Sequence, residues 1–220
     1  MAQIKIKICG VTRAADARVA AQSGADFIGL NFYSGPRRID LKRAAEILTA
    51  AAPATPVALV DSSDVDLIRE LAENLHIRTF QLYGDWDKFT PPADLKISLN
   101  FWPVLRVVSP ADLTGLPARL GHLAFSPAAI LLDAFSPQRP GGTGETFNWN
   151  WIRDVRASGS LGDIAPIILA GGLTPVNVAQ AIQITGPWAV DVSSGVEIPG
   201  QPGIKDAAKI RAFISAAAKK

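Results

Sequence analysis

Short apolar runs rich in β-branched residues alternate with longer stretches whose apolar positions recur at helical spacing, from one end of the chain to the other. The short runs predict strands over 4–9, 27–32, 57–60, 79–83, 104–108, 130–133, 167–170 and 188–192. The amphipathic stretches predict helices over 14–22, 41–52, 65–74, 176–184 and 205–218. Strands joined in this way by crossover helices form a parallel sheet, and eight units are the number that closes a barrel. The fold class expected is therefore α/β, a (β/α)8 barrel, with residues 1–220 forming a single domain. Two units are weakly patterned: the segment after Gly84 carries Pro91 and Pro92, and the stretch 112–122 is broken by glycine and proline. The longest irregular connection, 135–146, is rich in proline and glycine, and a loop of that length in a compact domain points to function.

An open doubly wound sheet shows the same alternation, but places its glycine-rich fingerprint after the first strand. Here the glycine-rich segments fall late, at Gly141-Gly-Thr-Gly144, Gly171-Gly-Leu173 and Ser193-Ser-Gly195, which favours the barrel.

Composition narrows the function classes. With 48% hydrophobic residues and 19% charged, the chain has ample material for a core. A formal net charge of +2, with lysines mainly near the ends at Lys5, Lys7, Lys219 and Lys220, argues against a nucleic-acid or membrane footprint. A single cysteine suits a reducing compartment, and the first residues lead straight into a strand rather than an apolar signal segment. The expected location is cytoplasmic and the expected partner a small phosphorylated substrate, with the oligomeric state left open. His76 and His122 are the only histidines and have no ligand-spaced partners, so neither a metal nor a cofactor is expected.

Candidate chemistry gathers at the predicted carboxyl ends of the strands. Gly171 and Gly172 after strand seven, and Ser193, Ser194 and Gly195 after strand eight, let backbone N–H groups converge where barrels recurrently hold phosphate. Cys9 closes the first strand, and alternation puts Lys7 on the same face one layer below, where an ammonium would favour the thiolate. The same cysteine also fits a small buried hydrophobe. Asp133 ends an otherwise apolar strand that has little structural use for a carboxylate. In a closed eight-strand barrel the ends of strands one and six are three strands apart, so Cys9 and Asp133 would face each other across the mouth as base and acid. Asp191 would orient substrate or fix its loop, and Arg37 or Arg38 would reach a carboxylate or phosphate.

Ordered motifs then point to one family. They are Lys7-Ile-Cys-Gly10 with Thr12, Gly24-Ala-Asp26 with Gly29, Pro36-Arg37, Gln81-Leu82 with Gly84 and Leu131-Leu-Asp133. Further along come Gly141-Gly-Thr-Gly144 with Phe147 and Trp149, Leu169-Ala-Gly-Gly-Leu173 with Asn177-Val178, and Asp191-Val-Ser-Ser-Gly-Val-Glu197 with Pro199-Gly200 and Lys205-Asp206. Across nearly its whole length the sequence resembles the phosphoribosylanthranilate isomerases of tryptophan biosynthesis. The resemblance implies a cofactor-free Amadori rearrangement, with Asp133 as general acid on the furanose oxygen and Cys9 as base at sugar C2. It also implies Arg37 near the anthranilate, Gln81 and Tyr83 along the substrate wall, and a phosphate grip at Gly171-Gly172 and Ser193-Ser-Gly195. Three positions depart from the family pattern: Tyr83 stands for the usual histidine, Gly35 for a serine and Asn148 for an aspartate. Another phosphosugar isomerase of the barrel class, or a silent phosphosugar-binding domain, is the competing reading.

Overall fold

The computed structural model describes residues 3–134, 148–160 and 164–218. Its eight strands, β1 Lys5–Ile8, β2 Phe27–Asn31, β3 Thr55–Asp61, β4 Thr79–Tyr83, β5 Asn100–Val107, β6 Ile130–Ala134, β7 Ile167–Leu169 and β8 Ala189–Val192, pair in chain order. All pairs are parallel, and β8 returns to β1, so the sheet is a closed barrel and the open-sheet alternative falls. The expected strands are all present. The largest difference is at β5, which starts four residues early because the strand runs through Pro103. Pro103 is paired in register with Leu82 of β4.

Around the barrel lie α1 Ala14–Gln22, α2 Leu41–Ala51, α3 Val65–Asn74, α4 Pro110–Thr114, α5 Leu116–Leu120, α6 Asn150–Ala157, α7 Val178–Thr185 and α8 Ala207–Ala218. Side-chain caps start α2, α3 and α8: Asp40 accepts from the Arg43 N–H, Asp64 from the Leu67 N–H, and Asp206 from the Ala208 and Lys209 N–H groups. The weak units stay weak. After Gly84 only a single 3₁₀ turn, Trp86–Lys88, replaces a helix, and Gly115 divides the next unit into α4 and α5. Two helix starts move inward from their expected positions. Val176 lies outside α7, almost fully exposed, and Lys205 lies outside α8 with its side chain buried. The 135–146 connection and the lysines at 219 and 220 lie outside the described residues. His76 and His122 are exposed. No helix among the described residues is long and apolar enough to cross a membrane.

Alternation along each strand separates two environments. Outward residues such as Ile8, Ile28, Leu132, Leu169 and Val190 join Ile47, Ile68 and Leu71 of the helices in the main core. Burying one such side chain contributes about 1.5–3 kcal/mol. Inward residues Val57, Trp102, Leu131, Ile168 and Ala189 form a second, smaller cluster inside the barrel. Phe27, Trp102 and Trp188 meet edge-on or tilted at centroid distances of 5.1–6.0 Å and close the bottom of that interior. Toward the strand carboxyl ends this interior also takes in the buried polar side chains of Lys7 on β1, Gln81 on β4 and Asp191 on β8.

Candidate active site

Lys7 occupies the middle of the barrel interior and is completely buried. Its Nζ donates to Asp191 Oδ1 at 2.8 Å, to Gln81 Oε1 at 2.8 Å and to Cys9 Sγ at 3.1 Å. The three protons of the ammonium thus match three acceptors from β1 and its flank, β4 and β8. Burial works against the charged ammonium, but Asp191 and Cys9 outweigh it and leave the Lys7 pKa raised. The lysine that alternation placed one layer below Cys9 is therefore a structural ion inside the barrel.

Cys9 is a buried free thiol. The sequence reading has Lys7 tipping it toward thiolate, and the structure corrects the net sign. Burial first, and then the Asp191 carboxylate, push the thiol above its usual range, while Lys7 pulls it only part of the way back. Lys7 is held by a carboxylate as well as by the sulfur, so its charge is shared. Space for the pair comes from Gly29 on β2: a Cβ there would stand 2.7 Å from Cys9 Sγ and 3.1 Å from Lys7 Nζ.

Gln81 carries the network to Tyr83, its Nε2 donating to the phenol oxygen at 2.9 Å. The Tyr83 ring stacks on Tyr33, from the loop after β2, at 4.8 Å between centroids and 7° between planes. Burial pushes the Tyr83 hydroxyl well above its ordinary pKa, with Cys9, Asp133 and Asp191 adding to the effect through their charges. The phenol thus feels the charges of the expected base, the expected acid and Asp191. Asp133 itself is the penultimate residue of β6, half-buried, paired in register with Arg106. Asp191 does not reach outward to fix its loop; its Oδ1 is taken by Lys7.

A second ionic cluster lies beside the first. Glu197 is buried and accepts from Arg37 Nε and Nη2, both at 2.7 Å, from Lys205 Nζ at 2.9 Å and from the Gly203 N–H at 2.9 Å. Burial raises the carboxyl, but Arg37, Lys205 and Gly203 prevail and hold it at about 2. Arg37 therefore reaches the rim as expected, yet meets a carboxylate of its own chain with Nε and Nη2. Arg38 points elsewhere, exposed, with Nε on the Phe32 carbonyl at 3.2 Å.

The two glycine-containing loops come into direct contact. A Cβ at Gly195, in the 3₁₀ turn Ser194–Val196, would stand 2.0 Å from the Leu173 carbonyl oxygen, so no larger residue fits. Gly171 and Gly172 both take positive φ, 85° and 66°, which side chains rarely adopt. Asn177 pins this loop, donating to the Gly172 carbonyl at 3.0 Å and accepting from the Thr174 N–H at 2.8 Å. Lys205 Nζ donates to the Ser193 carbonyl at 3.1 Å and to its hydroxyl at 3.4 Å.

Chemical reasoning from the residues alone does not single out Glu197, Lys205, Gly29 or Tyr33. Glu197, Lys205 and Gly29 stand inside the ordered motifs, which is the signal that marks them; Tyr33 carries none.

Comparison with known proteins follows the same lines. The family model for N-(5'-phosphoribosyl)anthranilate (PRA) isomerase matches residues 6–216. An N-(5'-phosphoribosyl)anthranilate isomerase from Pseudomonas aeruginosa is 41% identical over 219 residues, covering 98% of this chain and 96% of that one. The crystal structure of phosphoribosyl anthranilate isomerase from Thermotoga maritima superposes with a TM-score of 0.78 at 33% identity, covering 97% of this chain and 98% of that one. A further phosphoribosyl anthranilate isomerase structure, in complex with reduced 1-(o-carboxyphenylamino)-1-deoxyribulose 5-phosphate, gives a TM-score of 0.74 at 30% identity, with coverage of 97% and 98%.

Proposed function

The chain belongs to the N-(5'-phosphoribosyl)anthranilate isomerase family, and from that premise we propose that Cys9 and Asp133 are its catalytic base and acid. The reaction is the Amadori rearrangement of N-(5'-phosphoribosyl)anthranilate to 1-(2-carboxyphenylamino)-1-deoxyribulose 5-phosphate in tryptophan biosynthesis.

In this reading the Asp133 carboxylic acid gives its proton to the furanose oxygen as the C1–O bond breaks, and the nitrogen lone pair forms the imine. The Cys9 thiolate takes the proton from C2, and the freed pair makes the C1–C2 double bond of an enolamine. A proton then reaches C1 and one leaves the C2 hydroxyl, so the ketone product is an isomer and no electrons are exchanged. The observation that carries the base assignment is Cys9 Sγ within 3.1 Å of a buried ammonium, the one stabilising charge a desolvated thiolate needs. A raised thiol pKa suits proton abstraction from carbon, because it strengthens the base that must attack a carbon acid even as it lowers the thiolate population.

Phosphate is assigned to the paired loops at Gly171-Gly172 and Ser193-Ser194-Gly195. The charge beneath them supports this, because two cations, Arg37 and Lys205, share the single carboxylate of Glu197. The surplus positive charge suits a bound anion. Arg37 and Tyr83 face the anthranilate end, with Gln81 and Asp191 along the sugar. One (β/α)8 domain over residues 1–220 and a cytoplasmic location complete the reading, the latter consistent with a lone free thiol.

Steady-state kinetics test the roles. Cys9→Ala and Asp133→Asn should each lower kcat by roughly 10² to 10⁴, with KM changing much less. Turnover close to wild type in either variant would remove that residue from its role.

A further inference from the structure

We propose that Lys7 is a positioning residue that sets how readily Cys9 ionises, and that Asp191 competes with the thiolate for it. The inference rests on the reading of Cys9 as base, and concerns what controls that base.

One fully buried cation faces two groups that can each carry a negative charge. Lys7 Nζ lies 2.8 Å from Asp191 Oδ1 and 3.1 Å from Cys9 Sγ. Gln81 takes the third proton and brings no charge. With the thiol neutral, Lys7 and Asp191 cancel; with the thiolate formed, the trio carries one net negative charge inside an apolar barrel. That is costly, so the resting state keeps the proton on sulfur and the ion pair on Asp191. Any change that weakens the hold of Asp191 on Lys7 transfers the ammonium's field to the sulfur. The geometry leaves little freedom for other arrangements, because Gly29 packs its backbone where a side chain would strike both Sγ and Nζ.

Other charges around Cys9 are farther along the rim. Arg37, from the loop after β2, and Lys205, after β8, both interact electrostatically with Cys9, and Tyr83 faces it from β4. Arg37 and Lys205 are committed to Glu197, whereas Tyr83 hydrogen-bonds Gln81. Asp133 on β6 acts on the same phenol. Of these, only Lys7 hydrogen-bonds the sulfur, and only Asp191 shares that donor as an anion.

The two partners therefore have opposite effects on the thiol, which a merely structural role would not produce. The test is the pH dependence of Cys9 alkylation by iodoacetamide in the full chain, with circular dichroism confirming the fold of each variant. An opposite charge at this range shifts an ionisation by a unit or more, so below the midpoint each change is read as about tenfold in rate. Lys7→Met should move the midpoint up and slow alkylation about tenfold. Asp191→Asn should move it down and speed alkylation about tenfold. Opposite displacements support the inference; displacements of the same sign, or an unmoved midpoint in Asp191→Asn, overturn it. Should Lys7→Met fail to fold, Asp191→Asn decides alone, because the smaller change keeps the Lys7 hydrogen bond. The reading of Cys9 as base stands or falls separately, on the turnover of Cys9→Ala.

Discussion

The barrel holds two buried ionic clusters of similar size and opposite balance. Around Lys7, one cation serves a carboxylate and a thiol; around Glu197, one carboxylate serves two cations. The difference shows in the titrating groups. In the first cluster the scarce partner is positive, and the Cys9 thiol is pushed up. In the second the scarce partner is negative, and Glu197 is held at about 2. A group whose counter-charge is contested is poised to exchange a proton, whereas a carboxylate held by two cations is locked ionised and serves as a fixed tie. Glu197 ties two other segments of chain to its own: the loop after β2 through Arg37, and the stretch before α8 through Gly203 and Lys205. Lys205 in turn ties Ser193.

The comparison breaks most visibly at Glu197. Glu197→Ala leaves two cations without their anion and should destabilise the fold by about 3–5 kcal/mol in urea denaturation at neutral pH. The pH dependence sharpens this. A carboxyl depressed in the folded state stabilises fully above its unfolded value and loses that contribution as pH falls through the folded one. Wild type should therefore lose about 3 kcal/mol between roughly pH 4.5 and pH 2 from this group, a loss missing from Glu197→Gln. An equally steep acid limb in Glu197→Gln would mean the tie is not what the geometry suggests.

The first cluster should respond in rate rather than stability. Gly29→Ala pushes a methyl against Sγ and Nζ and should lower kcat about 100-fold, the effect typical of displacing a catalytic group by about an ångström. Unchanged turnover would show that the sulfur position is not critical.

The loop contact at Gly195 comes next in size. Gly195→Ala forces the strand-seven and strand-eight loops apart and should weaken a phosphorylated substrate analogue about tenfold in Kd, about 1.4 kcal/mol, with less effect on bound turnover. Equal affinity would move the phosphate site elsewhere.

The smallest effect is expected at Tyr83. Tyr83→His exchanges one hydrogen-bonding ring for another beside Tyr33, and kinetics should change by less than about tenfold, the worth of a single hydrogen bond. Abolished activity would give the phenol a larger part than Cys9 leaves for it.

How legible these features are in the sequence varies with their range. Strand four and helices 14–22 and 65–74 are readable to the residue, because a local pattern of two or 3.6 positions reports which face is buried. The start of β5 is not, since Pro103 reads locally as a breaker while its neighbours Phe101, Trp102 and Val104 are buried by distant chain. Cys9, Asp133, Gly171, Gly172 and Gly195 are readable as residues at or just beyond strand ends from the strand pattern alone. Tyr33 is not, because only its stacking on a ring fifty residues away gives it a role.

The chain's periodicity by itself determined eight alternating units and hence the barrel, and alternation put Lys7 beneath Cys9, because both follow from local backbone geometry. What the tertiary structure decided is the sign of the electrostatics. Asp191 lies 184 residues from Lys7 along the chain and 2.8 Å from it in the fold. The ionisation of a buried thiol depends on every charge that closure of the barrel brings near it and on the water that closure removes. Neither quantity exists until β8 has paired with β1.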